Sequence, residues 1–133
     1  MTPIGLDSGR TALLLAILEK RCNVRLHDHD VFLNVAGGLR VDEPAADLAV
    51  IAAVASSARG KALPGDVVLW GEVGLTGEVR SVARADVRVR EAVRQGFARC
   101  ILPAGNARGL AGGGTSVRGV ANVGELFEVL ELG

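Results

Sequence analysis

A mixed α/β domain built in two layers is the fold class this sequence predicts, and three observations carry the prediction. Short β-branched, apolar runs stopped by glycine alternate with longer runs of helical period, so strands and helices intermix along the chain. The chain has 133 residues, 49% hydrophobic and 23% charged. That length suits one domain burying roughly two thirds of its unfolded surface. The core is aliphatic: Phe32, Trp70, Phe97 and Phe127 are the only aromatic residues, so Ala, Val and Leu must fill it. The 18 glycines allow tight turns and close contact between elements.

The elements follow in order. Asp7-Ser8 is a capping signal, and Leu13-Leu14-Leu15-Ala16-Ile17-Leu18 before Glu19-Lys20-Arg21 makes residues 8–21 an amphipathic helix. Asp30-Val31-Phe32-Leu33-Asn34-Val35-Ala36, stopped by Gly37-Gly38, predicts a strand over 30–36. Pro44 opens a second helix, where its missing N–H costs nothing. The run from Ala45 to Ser57 is apolar nearly all round, which predicts a central, buried helix. Val67-Val68-Leu69-Trp70 is a strand. Gly71-Glu72-Val73 and Gly77-Glu78-Val79 bracket Gly74-Leu75-Thr76, and this echo predicts a hairpin. Residues 84–96 form a helix with Ala85, Val89, Ala92, Val93 and Gly96 on one face. Residues 99–102 are a short strand, and 104–116, with Gly112-Gly113-Gly114, a mobile glycine-rich loop. Asn122, three residues ahead of Glu125, caps a last helix running to about Leu132.

Formal net charge is zero, with 15 basic and 15 acidic residues, which removes the simplest argument for a polyanionic partner. The distribution restores part of it. Residues 76–108 hold seven arginines against three acids, whereas the segments on either side are net acidic. Only Lys20 and Lys61 are lysines, and arginine's planar fork suits phosphate and carboxylate. No apolar run approaches the roughly 18 residues of a membrane span, and no signal pattern opens the chain. A cytoplasmic protein without a membrane partner is the expectation. Cys22 and Cys100 are far apart with no C-x-x-C spacing, and Cys100-Ile101-Leu102 reads as buried core.

The residue types that carry common chemistries are present only in part. Gly60-Lys61 is followed by Ala62, with Ala55 five residues before Gly60, so no phosphate-binding loop of the Walker type exists. His27-Asp28-His29-Asp30 offers two imidazoles and no third converging histidine, so the expectation is a polar loop feeding a strand and no metal site. Ser57 and Lys61 are four apart, but their Gly- and Arg-rich surroundings lack the desolvation that lowers a lysine pKa. The arginine cluster remains. Arg84, Arg88, Arg90 and Arg94 fall within roughly 160° of arc opposite the apolar face of their helix, at about 100° per residue. Asp86 and Glu91 lie on the same side. A solvated helix face and a phosphate-binding surface both satisfy this pattern.

Three stretches carry a family resemblance. Asp42-Glu43-Pro44-Ala45-Ala46-Asp47 before an apolar helix, Trp70-Gly71-Glu72-Val73, and Leu102-Pro103-Ala104-Gly105-Asn106 resemble the proteolytic domain of the Lon family. That family carries D-G-P-S-A-G, T-G-E, a helix with a catalytic lysine, and I-P-x-x-N. The resemblance implies the Lon-type fold with a ribosomal-protein-like βαβ core. It places the family's serine on Ala45 and its lysine on Asp86, so no catalytic residue is expected. Glu43 and Asp47 stand where the family has glycines.

A narrower likeness covers nearly the whole chain up to Asn106. Residues 13–21, 30–38, 43–49 and 71–80 resemble the C-terminal domain of the RadA (Sms) family of bacterial DNA-repair proteins. In that family a zinc finger and a RecA-like ATPase precede this domain. The resemblance therefore implies that residues 1–133 are a single Lon-like domain cut from a longer protein, with Met1 an added start. It implies a non-catalytic scaffold of a hexameric ring that contacts DNA in recombination and branch migration. ATP, magnesium and zinc would belong to the full-length protein, with no cofactor in this domain. Arg84, Arg88, Arg90 and Arg94 become the expected DNA contacts. The alternatives are an oligomerisation module without DNA binding of its own and a divergent Lon-type serine peptidase.

Overall fold

The computed structural model describes Leu13, Ala16, Ile17, residues 44–110 and residues 115–133. Leu13, Ala16 and Ile17 are helical, in line with the first predicted helix. The rest of that helix, the strand over 30–36, Cys22 and His27 to Asp30 lie outside the described residues.

Pro44–Ala46 form a single 3-10 turn that leads into α1 (Asp47–Arg59). Proline can open a helix but not continue one, which fixes this start. Leu48, Ile51, Ala52, Val54 and Ala55 of α1 are buried, as the apolar run requires. The helix ends at Gly60, whose left-handed φ of +65° lets its N–H reach the Ser56 and Ser57 carbonyls.

The chain then runs through β1 (Val67–Leu69), β2 (Glu72–Val73), β3 (Val79–Arg80), α2 (Ala85–Arg94), β4 (Arg99–Pro103), α3 (Ala104–Ala107), β5 (Ser116–Val120) and α4 (Val123–Leu130). Strands β1, β4 and β5 form a parallel sheet in the order β1-β4-β5, with Val68 opposite Cys100 and Leu102 opposite Gly119. Strand alternation sends Ile101, Val120, Val67 and Leu69 toward α1 and α4. It sends Cys100, Leu102, Val68 and Val117 into a second cluster with Trp70 and with Val89 and Ala92 of α2. The α/β class therefore holds, with helices on both faces of the parallel sheet, as buried parallel strands demand.

The predicted hairpin is present as the antiparallel pair β2–β3. Its turn closes with the Gly77 N–H donating to the Gly74 carbonyl at 3.0 Å, and Gly77 takes the left-handed φ of +83° that this loop requires. The last helix begins as read: the Asn122 side chain accepts the Glu125 N–H at 2.9 Å.

Two expectations change. On α2 the buried face is Ala85, Val89 and Ala92, while Val93 is 37% exposed and Gly96 lies past the helix end. The stretch 104–116 contains the short helix α3 and leads into β5, a strand the local pattern does not announce. Tertiary contact explains β5. A Cβ on Gly119 would come within 2.8 Å of the Ala107 Cβ and 2.9 Å of the Ala104 Cα, so glycine is what lets α3 lie flat on the strand.

Candidate functional site

The 3-10 turn is sewn to the segment that joins β1 to β2. The Gly71 N–H donates to the Ala45 carbonyl at 2.8 Å, and the Leu48 N–H donates to the Gly71 carbonyl at 3.0 Å. Glycine suits position 71, where a Cβ would sit a tight 3.0 Å from Val79 and 3.2 Å from Pro103 side-chain carbons. Asp47, only 2% exposed, extends the pairing: its carboxylate accepts the Val73 N–H at 2.9 Å. Ala45 is buried beside it at 5% exposure. The methyl group of Ala45 can supply no nucleophile, and the neighbouring carboxylate is engaged by backbone.

Asp86, the other position singled out by the resemblance, stands in open solvent in the first turn of α2. Its side chain is 69% exposed and pairs with Arg90 at 3.5 Å. Ser57 is exposed, and the Lys61 ammonium donates to the Glu131 carbonyl at 2.9 Å, at the C-terminal end of α4 where a cation is favoured. That lysine is thus a helix cap rather than a desolvated base. Among the described residues no group of His, Cys, Asp and Glu is placed to hold a metal ion. Cys100 is a buried free thiol whose pKa burial pushes up, which leaves it unreactive.

The arginines on the solvent side of α2 separate into engaged and open side chains. Arg94 meets Glu91 at 3.2 Å, and Arg90 meets Asp86. Glu91 also accepts the Gln95 amide at 2.9 Å; that bond first, then Arg94, holds its pKa below the ordinary value. Arg88 is half-buried, and its Nε donates to the Ala83 carbonyl at 3.2 Å. Arg84, the N-cap of α2, is exposed at a left-handed φ of +62° and makes no side-chain ion pair or hydrogen bond among the described residues.

Arg108, just past α3, is open in the same way, and sequence reasoning missed it. Its signal was its place as the last arginine of the basic stretch 76–108. The two open arginines rise from segments joined by one side chain. The Asn106 amide accepts the Val82 N–H at 2.8 Å and donates to the Val82 carbonyl at 3.1 Å.

None of the described helices is long and apolar enough to cross a membrane. Comparison with known proteins places the whole arrangement. The chain is 46% identical over 127 residues to the DNA repair protein RadA of Pseudomonas aeruginosa, which covers 96% of this chain and 28% of that protein. It is 50% identical over 123 residues to RadA of Bacillus subtilis, covering 91% and 27%. It is 42% identical over 128 residues to RadA of Escherichia coli, covering 96% and 28%. The chain thus spans just over a quarter of the length of these relatives. A family model of the Lon protease (S16) C-terminal proteolytic domain matches residues 16–132. The turn at Pro44–Asp47, the hairpin behind it and the parallel sheet all lie within that match, and the chain belongs to the Lon protease C-terminal domain family, matching the Lon-like domain of RadA.

Proposed function

We propose that this domain is a non-catalytic Lon-like scaffold that contacts DNA, within a cytoplasmic RadA-type repair ATPase. In that setting it works as part of a hexameric ring in recombination and branch migration. The observation that carries the reading is the 42–50% identity to DNA repair proteins over nearly the whole chain, in a protein with alanine where the resemblance to Lon puts the nucleophile. A fold does not bring its chemistry with it; the site decides. Here Ala45 has no hydroxyl, Asp86 stands in open solvent paired with Arg90, and Asp47 accepts the Val73 N–H. ATP, magnesium and zinc belong to parts of the full-length protein outside this domain.

The arginine side of α2 supports the DNA contact. Arg84, Arg88, Arg90 and Arg94 present guanidinium groups to the backbone of a duplex, and phosphate contacts carry no base information. That suits a machine required to move along any sequence. Stacking on single strands has no platform among the described residues, because Trp70 and Phe127 are buried and Phe97 is half-buried in the second core cluster. One observation favours a second reading, a ring-forming module without DNA binding of its own. Leu75, Val87 and Val93 are 69%, 40% and 37% exposed, and apolar groups in the open suit a subunit interface.

Fluorescence anisotropy of a labelled duplex, titrated with this chain at two salt concentrations beside an Arg84→Glu, Arg88→Glu variant, separates the two. DNA contact predicts affinity that falls steeply with salt and is lost in the variant. No binding at low salt selects the interface module.

A further inference from the structure

We propose that the DNA contact is concentrated at the N-terminal end of α2, on Arg84 together with Arg108 of the segment bonded to it, and is not spread along the helix. The inference rests on the DNA-contact reading above and narrows it to two residues, one of which lies outside the helix altogether.

Availability is the first argument. Arg90 and Arg94 each face a carboxylate of their own helix, at 3.5 Å and 3.2 Å, so their charge is locally cancelled. Each must surrender that partner before it can serve a phosphate, and the exchange of one anion for another gains little. Arg88 is held back by the Ala83 carbonyl. Arg84 and Arg108 have no such partner among the described residues, and both are exposed.

Placement is the second argument. Arg84 follows Val82 by two residues and Arg108 follows Asn106 by two, and the paired Asn106–Val82 hydrogen bonds lock those two segments together. Gly105 lies so close to the Ser81 hydroxyl that any Cβ there would collide with it, a second contact between the same segments. The two arginines therefore rise from segments that are fixed to each other. The segments are fixed in this way before any ligand arrives, which limits the ordering cost of a contact made from both.

Backbone conformation is the third. Arg84 is held at a φ of +62°, a region that glycine or asparagine occupies with less strain. Its side chain forms no ion pair or hydrogen bond among the described residues that would offset the strain. Backbone strain kept at an exposed residue with a free cationic side chain points to a demand from outside the fold.

The test uses the same duplex titration with four variants: Arg84→Asn, Arg84→Lys, Arg108→Ala and the pair Arg90→Ala, Arg94→Ala. Asparagine accepts the left-handed conformation, so Arg84→Asn is expected to melt at or above the parent temperature while binding about tenfold more weakly at low salt. Its slope of log affinity against log salt should shrink by about 0.9, the loss of one phosphate contact, and Arg108→Ala should show the same change. Arg84→Lys keeps a point charge and should retain affinity within about threefold. The Arg90, Arg94 double variant removes two cations yet should lose less affinity than Arg84→Asn alone.

If the parent binds with a steep salt dependence, but Arg84→Asn and Arg108→Ala bind equally well, the inference is overturned and the broader DNA reading stands. If affinity is lost only in the Arg90, Arg94 variant, the contact runs along the helix and the inference is again overturned. If the parent itself fails to bind at low salt, it is the DNA-contact reading that falls.

Discussion

Ala45 and Asp86 stand where the resemblance to Lon puts the two halves of one active site, and their surroundings have nothing in common. Ala45 is 5% exposed in a turn held by backbone bonds to Gly71 and by the Asp47 carboxylate on Val73. The Asp86 side chain is 69% exposed on the surface of α2, where it pairs with Arg90. A nucleophile and its base must share one desolvated setting to activate each other. Here one position has become part of the core and the other part of the surface. Substitutions in the turn should therefore be read out in stability, and substitutions on α2 in electrostatics.

The largest effect belongs to Asp47. Asp47→Ala removes the acceptor from the buried Val73 N–H, and an orphaned donor of this kind costs about 1–3 kcal/mol, more when the lost partner was charged. We expect a loss of about 2–4 kcal/mol in urea unfolding. Asp47→Asn keeps a carbonyl oxygen at the same place and should lose less than half of that. Equal losses would show that charge, not the hydrogen bond, holds the turn.

Ala45→Ser comes next. It restores the family's hydroxyl at a site that is 5% exposed, and burying an unsatisfied hydroxyl costs about 1–2 kcal/mol. No cleavage of an unfolded protein substrate should accompany it, because Asp86, in open solvent and paired with Arg90, is no desolvated base beside the hydroxyl. Measurable cleavage would reverse the comparison by showing the two positions still act together.

The hairpin behind the turn adds a pH dependence. The Glu78 carboxylate accepts the Thr76 hydroxyl at 2.6 Å, then Arg80 at 2.9 Å, and these bonds lower its pKa from 4.5 to about 2. A carboxylate with a depressed folded pKa contributes stability that is fully present above its unfolded value. That contribution is lost as pH falls from about 4.5 through about 2. The parent should therefore lose more stability than Glu78→Gln between pH 5 and about 2. Parallel pH profiles for the two proteins would remove Glu78 from the account.

What the sequence revealed follows the same division. Pro44, the Gly-bounded hairpin and the Asn122 cap are local signals, each satisfied within a few residues, and all three elements appear where the residues put them. The placement of Asp86 and Glu91 on the arginine side of α2 was legible too, because helical spacing sets it, and there they pair with Arg90 and Arg94. Strand β5 was not legible. Its support is pairing with β4 and the contact of Gly119 with α3, both made at a distance along the chain. The same holds for Arg108, whose segment is tied to the one ahead of α2 by the bonds between Asn106 and Val82, 24 residues apart. Asp47 carried a signal that pattern could not interpret: an acid within an apolar run is a capping residue or a buried acceptor, and only the position of β2 decides.

The smallest expected effect on stability is at Asp86, and it sharpens the comparison most. Asp86→Lys changes an exposed side chain and breaks one exposed ion pair, so unfolding should shift by no more than about 0.5 kcal/mol. The electrostatic change is larger. The substitution removes a negative charge from the N-terminal end of α2, adds a positive one, and frees Arg90 from its partner. Cations near a duplex add affinity that salt screens away. Duplex binding should therefore tighten several-fold at low salt, and the gain should fade as salt rises. An unchanged affinity would place this end of α2 away from the nucleic acid, and the exposed Val87 and Val93 on the same helix would then be the features that need a partner. Combined with Ala45→Ser, the lysine should still give no hydrolysis, since an ammonium in open solvent keeps its proton at neutral pH.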